Sequence, residues 1–200
     1  MRILRTVLWA GGLALAACQS PPPVVYDSFQ ASTDLYRVSP ADVAVMPIED
    51  ATADHAAGQV LESIRAEIAA DLVQRMYTPL AVAKVDEVLR LQPGAAPSSS
   101  VVDASWLQSV AGKFGEDAVL AVRITLWDET SLMMNGHVHF SADVSLSSPK
   151  SPNPLWSGAI KGDVKAGGRG PAPRDRAGRQ QSAAAEFARE LVRRLPSRRP

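Results

Sequence analysis

Three histidines, one cysteine and a crowd of C-terminal arginines are the residues of this chain best equipped for chemistry. His137 and His139 sit two apart in HVHFSADVSL, so a strand would put both on one face with Asp143. Two imidazoles and a carboxylate are a ligand set that a metal accepts. No further ligand-type residue lies at a supporting spacing, so these residues are expected to line a solvated sheet face, without a metal. Gly167-Gly168-Arg169-Gly170 has the glycine content of a phosphate loop but lacks Gly-Lys-Ser/Thr, and reads as a flexible loop. The carboxylate pairs Glu49-Asp50 and Glu116-Asp117 fall at element ends, where capping and solubility explain them better than acid–base work. There is no Gly-x-Ser-x-Gly elbow to build a nucleophile around. Neither a catalytic residue nor a cofactor is expected.

The cysteine is different. The chain opens MRILRTVLWAGGLALAACQS, with Arg2 and Arg5 ahead of an uncharged apolar stretch. That stretch is shorter than the ~20 residues that cross a bilayer, and it suits the core of a secretory signal. Leu15-Ala16-Ala17-Cys18 resembles a bacterial lipobox. In such signals the thiol receives a diacylglycerol, cleavage follows between Ala17 and Cys18, and the new amine is acylated. Several acyl chains hold a protein stably, at about 0.8 kcal/mol per buried methylene. Gln19, rather than Asp, follows the cysteine. By analogy with enterobacterial sorting this implies the outer membrane, periplasmic face.

Charge is balanced only in total. Lys+Arg and Asp+Glu are both 21. Residues 18–160 hold 8 basic and 17 acidic side chains, whereas 161–200 hold 11 and 4. The body argues against a nucleic-acid partner. The C-terminal arginines, with Arg169, Arg174, Arg176, Arg179, Arg193 and Arg194 as the candidate binding set, suit an acidic partner, an anionic headgroup or a neighbouring subunit. A solvated helix followed by a tail explains them equally.

The elements that must position these groups follow from hydrophobic period. After a signal over 1–17, residues 18–40 read as the acylated cysteine and an extended, proline-bearing tether. About 20 extended residues would reach roughly 65 Å. One domain spans 41–196, with a basic loop over 165–179 and a tail over 197–200. VAVMPI reads as a strand covered on both faces. Leu61, Ile64, Ile68, Leu72 and Met76 form a helical stripe, with Glu62, Arg65, Glu67, Asp71 and Arg75 on the wet side. LAVAKV (80–85) reads as a second strand. A short helix follows around Leu107–Phe114, then strands over 118–127, 137–146 and 155–164, and a helix from about Asp175 to Leu195. The order β-α-β-α-β-β-β-α implies an α/β (α+β) fold with a mixed sheet of about five strands: the first three parallel, the last three a meander. The alternation over 118–147 has the length for a membrane hairpin of a secretion pore. Arg123 and the missing aromatic girdle favour a sheet buried on one face.

Several short segments together resemble a family of small bacterial lipoproteins typified by a neisserial surface antigen. They are Tyr26-Asp27-Ser28-Phe29, VAVMPI, YTPLAVAKVDE with Val85-Asp86-Glu87, Phe114-Gly115-Glu116-Asp117-Ala118, and Leu155-Trp156-Ser157-Gly158. The basic stretch after 165 departs from that pattern. The fold group is similar to the curli-secretion lipoprotein, the lipoprotein activator of a penicillin-binding protein, and the N-terminal domain of the Tol translocation protein. The resemblance implies a non-catalytic envelope lipoprotein. Such a protein would bind or scaffold an envelope protein partner, as a homo-oligomer, held to the membrane by its lipid. An activator of a cell-wall synthase and a secretion-pore subunit are the alternatives.

Overall fold

The strongest apolar run, AVLAVRITLW, forms the middle of the sheet in the computed structural model, which describes residues 25–90, 115–168 and 170–198. This strand, β6 (Ala118–Asp128), pairs antiparallel with β7 (His137–Ser147), and β7 with β8 (Trp156–Lys165). On its other side β6 runs parallel to β3 (Asp42–Val45), and β3 parallel to β5 (Thr78–Pro79). Two short N-terminal strands, β1 (Val25–Asp27) and β2 (Gln30–Ala31), lie antiparallel on β8, and β4 (Glu49–Asp50) lies parallel on β6. The result is one mixed sheet of eight strands, ordered β1-β8-β7-β6-β3-β5 with β2 and β4 beside β8 and β6.

Helices α1 (Asp34–Val38), α2 (Leu61–Leu72), α3 (Val82–Arg90), α4 (Leu132–Asn135) and α5 (Arg176–Arg194) complete the described elements. The fold is α+β, as expected, with three strands more than expected. Period-two alternation sends Val138, Phe140, Ala142, Val144 and Leu146 to one face, where all are buried. That face meets α2 through Val60, Ile64, Ile68 and Leu72, spaced four apart, and α5 through Ala184, Phe187, Ala188 and Leu191. Phe187 anchors the seam. Its ring meets Phe140 edge-on at 4.9 Å and Trp127 at 5.9 Å.

VAVMPI is covered on both faces, as its unbroken apolarity implied. Val43 and Val45 join the main core, while Ala44 and Met46 pack with Val85 of α3, Val119 and Ala121 in a second, smaller cluster. Three layers therefore exist at β3, and α3 supplies the third.

That helix corrects the expected strand over 80–85. Read over six residues, LAVAKV alternates. Read to Leu89, Val82, Val85 and Leu89 recur at three and four, which is helical. Only Thr78 and Pro79 remain as strand, and Pro79 has no N–H to extend the ladder. Arg65 is a second correction: it is buried, not on the wet side of α2. Met76 is a third. The helix tightens into a 3-10 turn over Val73–Arg75 and ends with Met76 at φ 67°, 60% exposed, instead of in the stripe. Residues 25–40, expected as tether, form β1 and β2 on β8, followed by α1. The helix expected around Leu107–Phe114 lies outside the described residues, as do Cys18, the signal and Arg169.

Candidate functional site

Most arginines of the candidate set are engaged inside the molecule. Arg179 is half-buried and bonded on all sides: its Nε donates to the Pro173 carbonyl at 2.8 Å, and its Nη1 to the carbonyls of Leu132 (2.9 Å) and Met133 (2.8 Å). It therefore caps α4 and pins the 170–175 loop to it. Arg176 pairs with Glu129 at 2.8 Å, and Gln180 reaches the same carboxylate at 2.7 Å. Arg194 bridges Asp27 of β1 at 3.0 Å and Glu190 of its own helix, while Arg193 pairs with Glu190 at 2.6 Å. Arg176 and Arg194 thus answer acids of the body, while Arg193 pairs within its own helix. Arg174 is exposed and makes no ion pair among the described residues.

Arg75 also serves the C-terminal helix, which sequence reasoning did not foresee. Its guanidinium donates to the Val192 carbonyl at 3.1 Å, to the Arg193 carbonyl and to Ser197 Oγ at 3.3 Å. A cation there complements the negative end of the helix dipole. Tyr77 adds a hydrogen bond from its hydroxyl to the Pro196 carbonyl at 2.8 Å. Burial pushes the Tyr77 phenol up to about 12.

The histidine face has a different partner from the one its sequence offered. His139 is exposed and its Nδ1 contacts Asp163, directly across the ladder on β8, whereas Asp143 stands opposite Arg123 and Ala159. Among the described residues no group of three or more ligand-type side chains is placed to hold a metal. Gly168 and Glu186 line a mixed cleft of about 370 Å³ between β8 and α5, whose cations are Arg189 and Arg193, both already paired, and Lys165 at its edge.

One end of the sheet stands apart. Where β6 ends and β7 begins, a register shift between Ile124 and Leu126 turns Leu126 outward. Beside it α4 exposes Met133 and, at 82%, Met134. A groove of about 760 Å³ runs along this end, lined by Thr52, Asp54, Leu126, Trp127, Met133 and Arg176. Two methionines inside the turn DETSLMMNG were the sequence signal for it.

The scattered family-like segments prove to be contacts with one another. Phe29 stacks on Trp156 at 4.2 Å and 18°. Ser28 N–H donates to the Ala159 carbonyl at 3.0 Å, and a Cβ on Gly158 would sit 2.7 Å from Phe29 Cα. The N-terminal strap and the Leu-Trp-x-Gly segment thus need each other. Asp117 accepts from Ala41 N–H at 3.0 Å, Asp42 N–H at 3.3 Å and Lys150 Nζ at 2.8 Å. Those bonds, with Lys150 foremost, hold its carboxyl below the usual carboxylate range.

Comparison with known proteins gave one family and several solved structures. The model of the family described as "Putative lipoprotein GNA1162-like" matches residues 29–170. The chain is similar to the lipoprotein GNA1162 from Neisseria meningitidis at 21% identity, over 77% of this chain and 99% of that one, with a TM-score of 0.48. It is similar to the PelC dodecamer from Paraburkholderia phytofirmans at 17% identity, over 84% and 96%, with a TM-score of 0.45. Similarity to the LpoB C-terminal domain from Salmonella enterica is 19%, over 62% and 82%, with a TM-score of 0.39. No curated protein sequence matches the chain.

Proposed function

Because the chain belongs to the GNA1162-like lipoprotein family, we propose that it is an outer-membrane lipoprotein, acylated at Cys18, that works as a non-catalytic binding or scaffolding component of a cell-envelope assembly. The observation that carries this reading is the family match over 29–170, in a chain whose sole cysteine closes a lipobox a few residues earlier. The lipid fixes location, and the domain presents surface. The described residues supply support of the same kind: Arg176, Arg179 and Arg194 are engaged in holding the fold, and Leu126, Met133 and Met134 lie exposed together at one end of the sheet.

The tether is short on this reading. Seven residue steps separate Cys18 from Val25, the first residue of β1. They span at most about 25 Å. The domain therefore works close to the bilayer instead of reaching away from it.

The experiment is fractionation of envelopes from cells expressing the full chain and a Cys18→Ala form, with and without globomycin. The native protein moves with outer-membrane markers, and globomycin holds it as the unprocessed precursor. A Cys18→Ala protein that still co-fractionates with outer membrane overturns the acylation.

A further inference from the structure

Resting on that anchored reading, we propose that one end of the sheet is a membrane-docking face. At this end β8 finishes and α4 joins β6 to β7, and it would press Met133 and Met134 against the anionic phospholipid surface. The direction of β1 makes the argument. It is antiparallel to β8, with Val25 opposite Gly162 and Asp27 opposite Ile160. Chain preceding Val25 therefore leaves the sheet toward Lys165, the same end at which β7 starts and α4 sits.

Distances agree with this. Val25 is level with a residue three short of Lys165, about 10 Å along the strand, and β7 lies two strands over, about 10 Å sideways. The anchored cysteine is at most about 25 Å from Val25, and this end of the sheet is the nearer one, about 10 Å away against about 20 Å to Trp156 at the other end.

The surface suits a bilayer. Met134 and Met133 are exposed, and Leu126 lies nearby with 47% of its surface in solvent. Arg179 holds the backbone of α4 through the Leu132 and Met133 carbonyls, so these side chains project from a fixed support. Methionine is apolar and adaptable, which fits irregular acyl surface. Lys165 and Arg174, exposed and without ion pairs among the described residues, flank it as cations for headgroups. Glu129 is paired with Arg176, and the acids that share a cleft with Lys165 are answered by His139 (Asp163), Arg189 (Glu186) and Arg193 and Arg194 (Glu190), whereas Asp128 and Asp175 accept backbone N–H groups and keep their charge. Asp54 is the exposed acid of the adjoining groove.

The native chain has one cysteine, which acylation blocks, so a new thiol can be labelled alone. The full acylated protein, with a Met134→Cys or an Asn153→Cys change, is labelled with an environment-sensitive fluorophore. It is then reconstituted into vesicles of phosphatidylethanolamine and phosphatidylglycerol carrying brominated acyl chains. Asn153 lies in the β7–β8 turn at the far end. The label at 134 shifts to the blue and is quenched by bromine, while that at 153 reports water. Replacing anionic lipid by phosphatidylcholine lowers the quenching about twofold or more; unchanged quenching removes Lys165 and Arg174 from the face. A floating protein whose label at 134 stays in water overturns the docking face and leaves the anchor standing. A blue shift without bromine quenching means protein, such as a second copy, covers the methionines, and also overturns it. Protein that does not float at all overturns the anchor, and the docking face with it.

Discussion

Arg65 and Asp86 form an ion pair that joins α2 to α3 at the sheet: Arg65 Nη1 stands 2.7 Å from Asp86 Oδ1, with the Arg65 side chain 1% exposed. Its Nε also donates to the Val45 carbonyl at 3.1 Å, so one guanidinium ties both helices to β3. Removing Asp86 leaves the buried Arg65 charge with only the exposed Glu62 carboxylate, 4.0 Å away, to compensate it. Asp86→Ala is therefore expected to cost about 3 kcal/mol in urea unfolding. Arg65→Met with Asp86→Leu, which removes both charges, costs less than the two single changes together. Additive losses would contradict the coupling.

Gly158 is kept open for the N-terminal strap. A Cβ there would meet Phe29 Cα at 2.7 Å and Ser28 O at 2.8 Å, both backbone atoms that cannot rotate away. Gly158→Ala should destabilise by about 1–3 kcal/mol, typical of overpacking. Limited proteolysis should cut within 25–31 first, because the strap must lift to admit the methyl group.

Asp117 makes the protein sensitive to acid. Its folded-state carboxyl is held low by Lys150 and by the Ala41 and Asp42 N–H groups. A lowered pKa adds stability that is complete above the ordinary carboxylate range and is lost as pH falls through the lower folded value. The melting temperature should therefore drop on acidification below that range. Asp117→Asn should start less stable at neutral pH and show a shallower acid limb, measured by thermal scans across pH.

Two arginines of the same loop and helix start should separate cleanly. Arg179 donates to three carbonyls. Arg179→Gln is expected to cost about 2 kcal/mol, since three charge-assisted bonds to carbonyls, two of them partly buried, are lost. Arg174→Gln, on an exposed side chain, should stay within about 0.5 kcal/mol of the native protein. Chemical denaturation of both variants distinguishes a positioning arginine from a surface one.

The particular residues show why some of this was legible in advance. β6, β7, β8 and α5 are long, and over ten or more residues the hydrophobic period speaks clearly. Strands of two or three residues such as β1, β2 and β5 carry too few side chains for a period, and backbone pairing with a longer neighbour makes them. Arg65 was misplaced because its charge says "solvent" by type, while its partner Asp86 lies 21 positions away, on a helix that first read as a strand. The same blindness affects the arginines. Counting charge along the chain found the acidic body and the basic end, but only three dimensions show Arg194 on Asp27 and Arg176 on Glu129. Of the candidate site, the lipobox-like Leu15-Ala16-Ala17-Cys18 is a reading of sequence alone, outside the described residues, and the exposure of Met133 and Met134 was not foreseen from sequence.

Acylation of Cys18 is the claim on which location, tether length and docking face all depend. The direct measurement is the mass of the N-terminal peptide of the protein purified from envelopes. The account predicts a peptide beginning at Cys18 and carrying a diacylglycerol thioether and acylated amine. A peptide that begins elsewhere, or a Cys18 with a free thiol, would contradict it.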